Sequence, residues 1–343
     1  MRYFIITYGC QANKADSERI ARRLENMGHQ KVKADSSAEA LAKADLIVIN
    51  ACSVRQSAMD RVYAKINKFS AEGEFASGGK NKKLKIILTG CLLPADKKKL
   101  KKQVGEIWHP DEYFECVPIY SDKSSAFVPI MTGCDNFCAY CSVPYTRGRE
   151  RSRPAEEIIK EIKTLIKNGY KEIWLLGQNV NSYKSQINFP RLLEMVNGIP
   201  GDFRIRFLTS HPKDMSEELI KTIAKCQKVV KEIHLPVQSG DNQILKNMNR
   251  NYTAGQYKNL AKKIKKIIPE VKISTDVIVG FPGEAKKQFQ NTVKLFKEIK
   301  FDKAYIAKYS PRPGTTAFKL KDNVPPKEKK RRWQILNRLA NKK

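Results

Sequence analysis

Acidic side chains, histidine and long apolar runs are scarce in this chain of 343 residues. Its 35 aspartates and glutamates face 65 lysines and arginines, a formal charge of +30. Such an excess points to a polyanionic partner, with nucleic acid the first candidate. Part of the excess is ordinary solvated surface, since lysine runs such as 80–85 and 97–102 are spaced like solvent-facing stretches. No apolar stretch approaches the roughly 20 residues a membrane helix needs, so no membrane partner is expected. The opening Met1–Cys10 has a short apolar run without the layout of a secretory leader. The expected location is therefore the cytoplasm, where thiols stay reduced. There are only four histidines, and His109, His211 and His234 stand alone, without the paired spacing of a zinc knuckle.

Cysteine, by contrast, is plentiful. Eight thiols in a reducing compartment are better explained by metal than by disulfides. Three of them, Cys134, Cys138 and Cys141, form a C-x3-C-x2-C loop directly after the strand-like run Phe127–Met131. Soft thiolates crowded onto one loop select iron–sulfur clusters or zinc. The alternative of a structural zinc site would need a distant fourth ligand, and the isolated histidines offer none at a suitable spacing. A cube-type cluster held by three cysteines keeps one iron open, and an open metal position is where chemistry takes place.

Residues 1–118 read as a small α/β domain. The strand-like runs Tyr3–Thr7, Leu46–Asn50 and Lys85–Leu88 alternate with helical patterns at Asp16–Met27 and Ser57–Phe69. Each run leads into a cysteine: Cys10, Cys52 and Cys91. If the sheet is parallel, the carboxyl ends of its strands share one edge, the edge where ligands bind, and the three thiols converge there as a second cluster site. The plainer alternative treats them as small buried hydrophobes, the common fate of free cysteine. Cys116 and Cys226 have no such placement and read as packing residues. Glu72–Lys83, centred on Ser77-Gly78-Gly79, reads as a surface loop.

Residues 119–343 alternate strand and helix six times. The strands are Phe127–Met131, Glu172–Leu176, Phe203–Thr209, Glu232–Val237, Ser274–Val279 and Ala304–Tyr309. Amphipathic helices such as Ala155–Lys167 and Lys286–Ile299 lie between them. The expected fold class is α/β: an N-terminal Rossmann-like three-layer domain followed by an open (β/α)6 partial barrel. Polar segments follow the strands, among them Gly177-Gln178-Asn179, Ser210-His211-Pro212, Gln238-Ser239-Gly240 and Gly280-Phe281-Pro282-Gly283-Glu284. Any one of these is ordinary turn chemistry; together, on the edge that also carries the cysteine loop, they mark a site.

The sequence resembles the radical S-adenosylmethionine (AdoMet) methylthiotransferases, and within them the branch acting on isopentenyladenosine beside the tRNA anticodon. The likeness is carried by Tyr8-Gly9-Cys10-Gln11-Ala12-Asn13, Cys52-Ser53-Val54-Arg55, Val143-Pro144-Tyr145-Thr146-Arg147-Gly148, Leu175-Leu176-Gly177-Gln178-Asn179-Val180 and His234-Leu235-Pro236-Val237-Gln238-Ser239-Gly240. Thr209-Ser210-His211-Pro212 and Asp276–Glu284 add to it, so that it spans nearly the whole chain. The segments after Cys10 and Cys52 distinguish this branch from relatives acting on threonylcarbamoyladenosine or on a ribosomal protein. The family normally continues into a small β-barrel RNA-binding (TRAM) domain, whereas this sequence stops after the basic helical stretch Lys327–Leu339.

The resemblance implies two [4Fe-4S] clusters. Cys134, Cys138 and Cys141 hold the one whose open iron binds AdoMet, and Cys10, Cys52 and Cys91 hold an auxiliary one linked to sulfur supply. It implies a transferase that removes hydrogen from adenine C2 and installs sulfur and then methyl. Tyr140, Gln178, Asn179, Ser210, Gln238 and Asp276 are the expected AdoMet contacts, and Arg147, Arg149, Arg151 and Arg153 the expected grip on RNA phosphates. Expected partners are a tRNA anticodon stem-loop and a one-electron donor such as a flavodoxin or ferredoxin. An RNA-binding iron–sulfur protein without radical chemistry is the alternative from another class.

Overall fold

The computed structural model describes residues 1–54, 56–71 and 84–340. Arg55, the stretch Glu72–Lys83 read as a loop, and the last three residues lie outside them. The chain divides into two compact units, Met1–Lys123 with Tyr145–Gly148, and Ser124–Pro144 with Arg149–Lys343.

The first unit runs β1 (Arg2–Thr7), α1 (Gln11–Asn26), β2 (Gln30–Lys31), α2 (Ser37–Lys43), β3 (Leu46–Cys52), α3 (Gln56–Ala71), β4 (Lys85–Cys91), α4 (Pro94–Leu100), β5 (Glu106–Ile107) and α5 (Asp111–Phe114). All strand pairs are parallel, in the order β2-β1-β3-β4-β5. This is the flavodoxin-like variant of the doubly wound fold. The central strands are largely apolar, because helices cover both faces; every side chain of β3 is buried, the polar Asn50 included, and β4 is buried after Lys85. The alternation of the pleat divides them: Ile47, Ile49, Ile86 and Leu88 pack with Met59, Val62 and Ile66 on one face. Leu46, Val48 and Ile87 pack with Ile20, Leu24 and Tyr113 on the other. Cys116 packs at the edge of that second layer, as a packing residue should.

The second unit contains β6 (Ser125–Pro129), β7 (Met131–Thr132), β8 (Arg151–Ser152), α7 (Ala155–Lys167), β9 (Glu172–Leu176), α8 (Phe189–Asn197) and β10 (Arg204–Phe207). The five-residue helix α6 (Val143–Arg147) lies between β7 and β8 in sequence. There follow α9 (Glu217–Lys225), β11 (Glu232–His234), α10 (Asn242–Asn247), α11 (Ala254–Ile267), β12 (Lys272–Val279), α12 (Lys286–Ile299), β13 (Lys303–Lys308) and α13 (Pro326–Ala340). Two parallel three-stranded sheets, β6-β9-β10 and β11-β12-β13, are joined by a parallel bridge between Ile205 and Val229. The six strands β6, β9, β10, β11, β12 and β13 thus stand side by side in chain order, the arrangement of an open barrel. Along β12 buried residues face the helices, and the half-exposed Ser274, Asp276 and Ile278 face the other way.

Several helices carry explicit start signals. Ser216 caps α9 by accepting from the Leu219 amide at 3.1 Å, and Thr253 and Gln256 form a capping box on α11. The strand read over Glu232–Val237 ends at His234, because Pro236 has no amide to continue a ladder. The run Phe127–Met131 also divides. Pro129 closes β6, and Met131–Thr132 pairs antiparallel with Arg151–Ser152, directing the chain into the cysteine loop.

Candidate functional site

In the first unit the reversal of strand order between β1 and β3 opens a crevice at their carboxyl ends, the place where open α/β sheets bind ligands. Cys10 follows β1 and caps α1, Cys52 ends β3 and Cys91 ends β4. Cys52 and Cys91 are buried directly opposite each other in the ladder, whereas Cys10 is exposed. A hydrogen bond from Cys91 holds the Cys52 thiol below the usual thiol range. The same bond, with burial, pushes Cys91 well above it. The close approach needs glycine. Gly90 has φ +100°, and a Cβ there would stand 2.3 Å from the Ala51 carbonyl oxygen.

Two buried amides tie the crevice together. Asn13 Nδ2 donates to Asn50 Oδ1 at 2.9 Å and to the Ala51 carbonyl at 3.2 Å, while Asn50 Nδ2 donates back to the Asn13 carbonyl at 2.7 Å. Asn13 Oδ1 also accepts from the Cys10 amide at 3.2 Å and from its thiol at 3.6 Å. Beside them lies a buried ion pair. Arg147 Nη2 donates to Asp16 Oδ2, and Arg147 Nε donates to Cys91 Sγ at 2.9 Å. Burial would pull this guanidinium down, but Asp16 and Cys91 outweigh it and keep Arg147 protonated.

In the second unit the cysteine loop turns on Gly133 at φ +77° and Phe137 at φ +46°. Asn249 fixes it by donating through Nδ2 to the carbonyls of Asn136 at 3.3 Å and Phe137 at 3.0 Å. Donors point at the sulfurs here too: Asn136 Nδ2 lies 3.4 Å from Cys134 Sγ, and Arg250 Nη1 lies 3.4 Å from Cys138 Sγ. Arg250 is buried, and it spends its remaining donors on the Pro236 carbonyl at 2.8 Å and the Tyr252 hydroxyl at 2.8 Å. Donors aimed at sulfur favour the thiolate, the form that ligates metal.

Above the strands of this unit the polar groups are buried but incompletely paired. Thr132 Oγ1, Gln178 Oε1, Asn179 Oδ1, Asn181 Oδ1 and Ser210 Oγ have no hydrogen-bond partner among the described residues. Buried polar atoms are normally satisfied, so a group of five at one sheet edge marks a polar ligand's place. The backbone is unusual at the same edge, with Thr209 at φ +69° and Gln238 at φ +67°, values that non-glycine residues keep mainly at functional sites. His211, next to Ser210, is pushed down to about 2 by burial, Arg250 and Lys213, and is neutral.

Gln178, Asn179 and Ser210 are thus among these unpaired polar groups, and the backbone of Gln238 is bonded to Asp276 and Ile278. Asp276 is directed differently: its carboxylate meets His234 Nε2 at 3.2 Å across β11 and β12. Tyr140 packs with Ala139, Met248, Phe281 and Tyr309. The expected arginine grip on RNA needs correction. Arg147, buried against Asp16 and Cys91, has no reach to a phosphate. Arg153 is committed to the Pro129 carbonyl and to Glu161, both at 2.8 Å. Arg149 and Arg151 remain exposed. Asn13, Asp16, Asn50 and Arg250 were not anticipated. The available signal was polar residues on an otherwise apolar helix stripe, Asn13 and Asp16 one turn apart on the face of α1 that carries Ile20 and Leu24.

Among the described residues no three His, Cys, Asp or Glu side chains are set around a single ion. A four-iron cluster asks for something else, one thiolate on each ligated iron with bridging sulfides between, and the donor chemistry at both cysteine sets suits that demand.

The comparisons with known proteins agree with this chemistry. Residues 128–296 match the Radical SAM superfamily, and residues 2–109 match Uncharacterized protein family UPF0004. The tRNA-2-methylthio-N(6)-dimethylallyladenosine synthase of Clostridium novyi (strain NT) is 43% identical over 99% of this chain and 81% of its own length. The synthase of the same name from Syntrophomonas wolfei subsp. wolfei is 44% identical over 98% and 81%. Among solved structures, the radical S-adenosylmethionine methyltransferase TsrM from Kitasatospora setae, with cobalamin and a [4Fe-4S] cluster, aligns with a TM-score of 0.64 at 12% identity. It covers 92% of this chain and 76% of TsrM. The cobalamin-dependent S-adenosylmethionine radical enzyme OxsB aligns at 0.60 and 11%, over 99% of this chain and 55% of OxsB. Those two likenesses speak for the fold alone. The sequence kinship over nearly the full length says more: this chain belongs to the radical AdoMet methylthiotransferases, in the family of the tRNA-2-methylthio-N(6)-dimethylallyladenosine synthases.

Proposed function

We propose that this protein is a transferase that converts isopentenyladenosine beside the anticodon of tRNA to its 2-methylthio derivative. One observation carries the reading: enzymes named for that product match it at 42–44% identity over 98–99% of its length. Nothing in these relatives favours threonylcarbamoyladenosine, a ribosomal protein or a non-catalytic RNA-binding role.

The cofactors are [4Fe-4S] clusters and AdoMet. We assign Cys134, Cys138 and Cys141 to the cluster that takes AdoMet, in a domain of residues 119–343. Cys10, Cys52 and Cys91 go to the auxiliary cluster, in a domain of residues 1–118. When bound, these groups supply radical chemistry at a C–H bond that acids and bases cannot activate, together with sulfur chemistry. The protein's own residues hold and shield them. Asn136 and Arg250 stabilise charge on the Cys134 and Cys138 sulfurs. Gln178, Asn179 and Ser210 offer buried polar atoms to AdoMet, and His211, held neutral, adds no competing charge. Arg149 and Arg151 contact RNA phosphates, and the +30 charge draws tRNA in, since phosphate contacts dominate such affinity. The target base is taken from the single-stranded loop, where unstacking is cheap. A flavodoxin or ferredoxin supplies the electrons, and the protein works in the cytoplasm. Among the described residues no helix is long and apolar enough to cross a membrane.

The test is nucleoside mass spectrometry on tRNA from a host that lacks its own methylthiotransferase and expresses this chain. Methylthio-isopentenyladenosine is expected. A methylthio group on threonylcarbamoyladenosine moves the substrate, and unmodified isopentenyladenosine beside iron-loaded protein overturns the reading.

A further inference from the structure

Arg147 stands in a run of alternating arginines that reads as a basic surface, yet its side chain and that of Asp16 are each only 3% exposed. A buried ion pair repays its desolvation poorly as a source of stability, so its presence here calls for another role. The guanidinium is fixed at both ends. Nη2 is anchored on Asp16 of α1, and Nε is thereby directed at Cys91 Sγ, 2.9 Å away. The segment that carries it, Tyr145–Gly148, is compact with the first unit although it follows the second unit's cysteine loop in sequence. Hydrogen bonds and net charge at ligand sulfurs are what set the reduction potential of an iron–sulfur cluster.

We propose that Arg147, oriented by Asp16, is a positioning residue that tunes the electron affinity of the auxiliary cluster through the Cys91 sulfur. The inference rests on the assignment of Cys10, Cys52 and Cys91 to that cluster. A cationic N–H donor on a ligand sulfur stabilises the reduced, more negative state and raises the potential. The Asp16 carboxylate holds that donor in line and offsets part of its charge. Lysine is a poor replacement, because a single ammonium lacks the two-ended fork that reaches carboxylate and sulfur together.

The experiment is a redox titration of the full chain, reconstituted without oxygen, followed by electron paramagnetic resonance. The auxiliary signal is the one lost in Cys52→Ala, and the other is the one lost in Cys138→Ala. Arg147→Gln is expected to lower the auxiliary potential, Asp16→Asn to raise it, and Arg147→Lys to fall between Arg147→Gln and wild type. The potential of the second cluster should not move in any of them. If Arg147→Gln loses its iron, Asp16→Asn decides alone, since it keeps the guanidinium and removes only the opposing charge. Auxiliary potentials equal to wild type in folded, fully loaded variants overturn the proposal. A wild-type chain that binds only about four irons, all lost in Cys138→Ala, overturns instead the cluster assignment beneath it.

Discussion

In the first unit a buried guanidinium, that of Arg147, reaches the sulfur of Cys91 with the Asp16 carboxylate on its other side. In the second, Arg250 reaches the sulfur of Cys138 with a carbonyl and a phenol on its other side. Taking a guanidinium out of water is costly unless a negative charge answers it. Asp16 gives that answer in the first set before any metal arrives. In the second, burial pushes Tyr252 up to about 12, so it stays a neutral phenol. Of the groups bonded to Arg250, the Cys138 sulfur is left to supply the counter-charge. One set is balanced by a carboxylate within the protein; the other has a sulfur in that place, and the proposed cluster would supply its negative charge.

The largest effects should therefore come from the cysteines, and they should be unequal. Cys138→Ala is expected to bring AdoMet cleavage, read as 5′-deoxyadenosine released after reduction, to background. It should also destabilise the iron-loaded protein by about 3 kcal/mol in chemical denaturation, because the buried Arg250 loses the sulfur that its Nη1 faces. Cys52→Ala should leave cleavage near wild type and stop methylthio transfer to tRNA. Normal cleavage in the first variant would break the comparison, and so would continued thiolation in the second.

Much of this was legible in sequence. The run Leu46–Asn50, apolar up to its last residue, reads as a strand covered on both faces, and periodicity placed α7, β9 and α12 at the boundaries found. The convergence of Cys10, Cys52 and Cys91 on one sheet edge followed from parallel topology alone. What could not be read was which charged side chains go inside. Arg147 and Arg149 are two residues apart in one basic run, and only tertiary packing buries the first while leaving the second in solvent. Arg250 lies between two asparagines in a polar turn, where nothing local announces that it will be enclosed. Sequence periodicity reports which face of an element is apolar; it does not report the few charges that an apolar face is built to hold.

Backbone closeness gives the next contrast. Gly90→Ala puts a side chain at φ +100° and 2.3 Å from a backbone oxygen of the neighbouring strand, and neither can yield. A loss of about 3 kcal/mol is expected, with weakened retention of the auxiliary cluster. Gly177→Ala in the second unit meets side chains alone, Met131 at 2.4 Å and Val180 at 3.2 Å, with no unusual φ. Methionine can change rotamer, so the expected loss is about 1 kcal/mol. Equal losses from the two, measured by urea denaturation, would mean that the close approach of β3 and β4 is less tightly fixed than its geometry implies.

The remaining effect appears only in acid. His211 is buried beside Ser210, its ring edge-on to Tyr252 at 5.7 Å, and its Nδ1 accepts from the Lys213 amide at 3.2 Å. Its value falls from 6.5 to about 2 through burial first and then the Arg250 and Lys213 charges. The unfolded chain therefore takes up this proton at a higher pH than the folded one. The histidine's contribution to stability is complete above about 6.5 and declines as pH falls toward 2, by at most about 1.4 kcal/mol per pH unit. His211→Asn keeps an acceptor for the Lys213 amide and removes the titration, so stability between pH 6.5 and 4.5 should become flatter than in wild type. Methylthio transfer at neutral pH tests the same residue differently. A neutral ring beside the proposed AdoMet contacts serves by shape and by the absence of charge, so His211→Asn should cost far less activity than His211→Lys, which forces a cation against Arg250. If the two variants are equally impaired, the charge balance around Arg250 is not what this edge of the barrel protects.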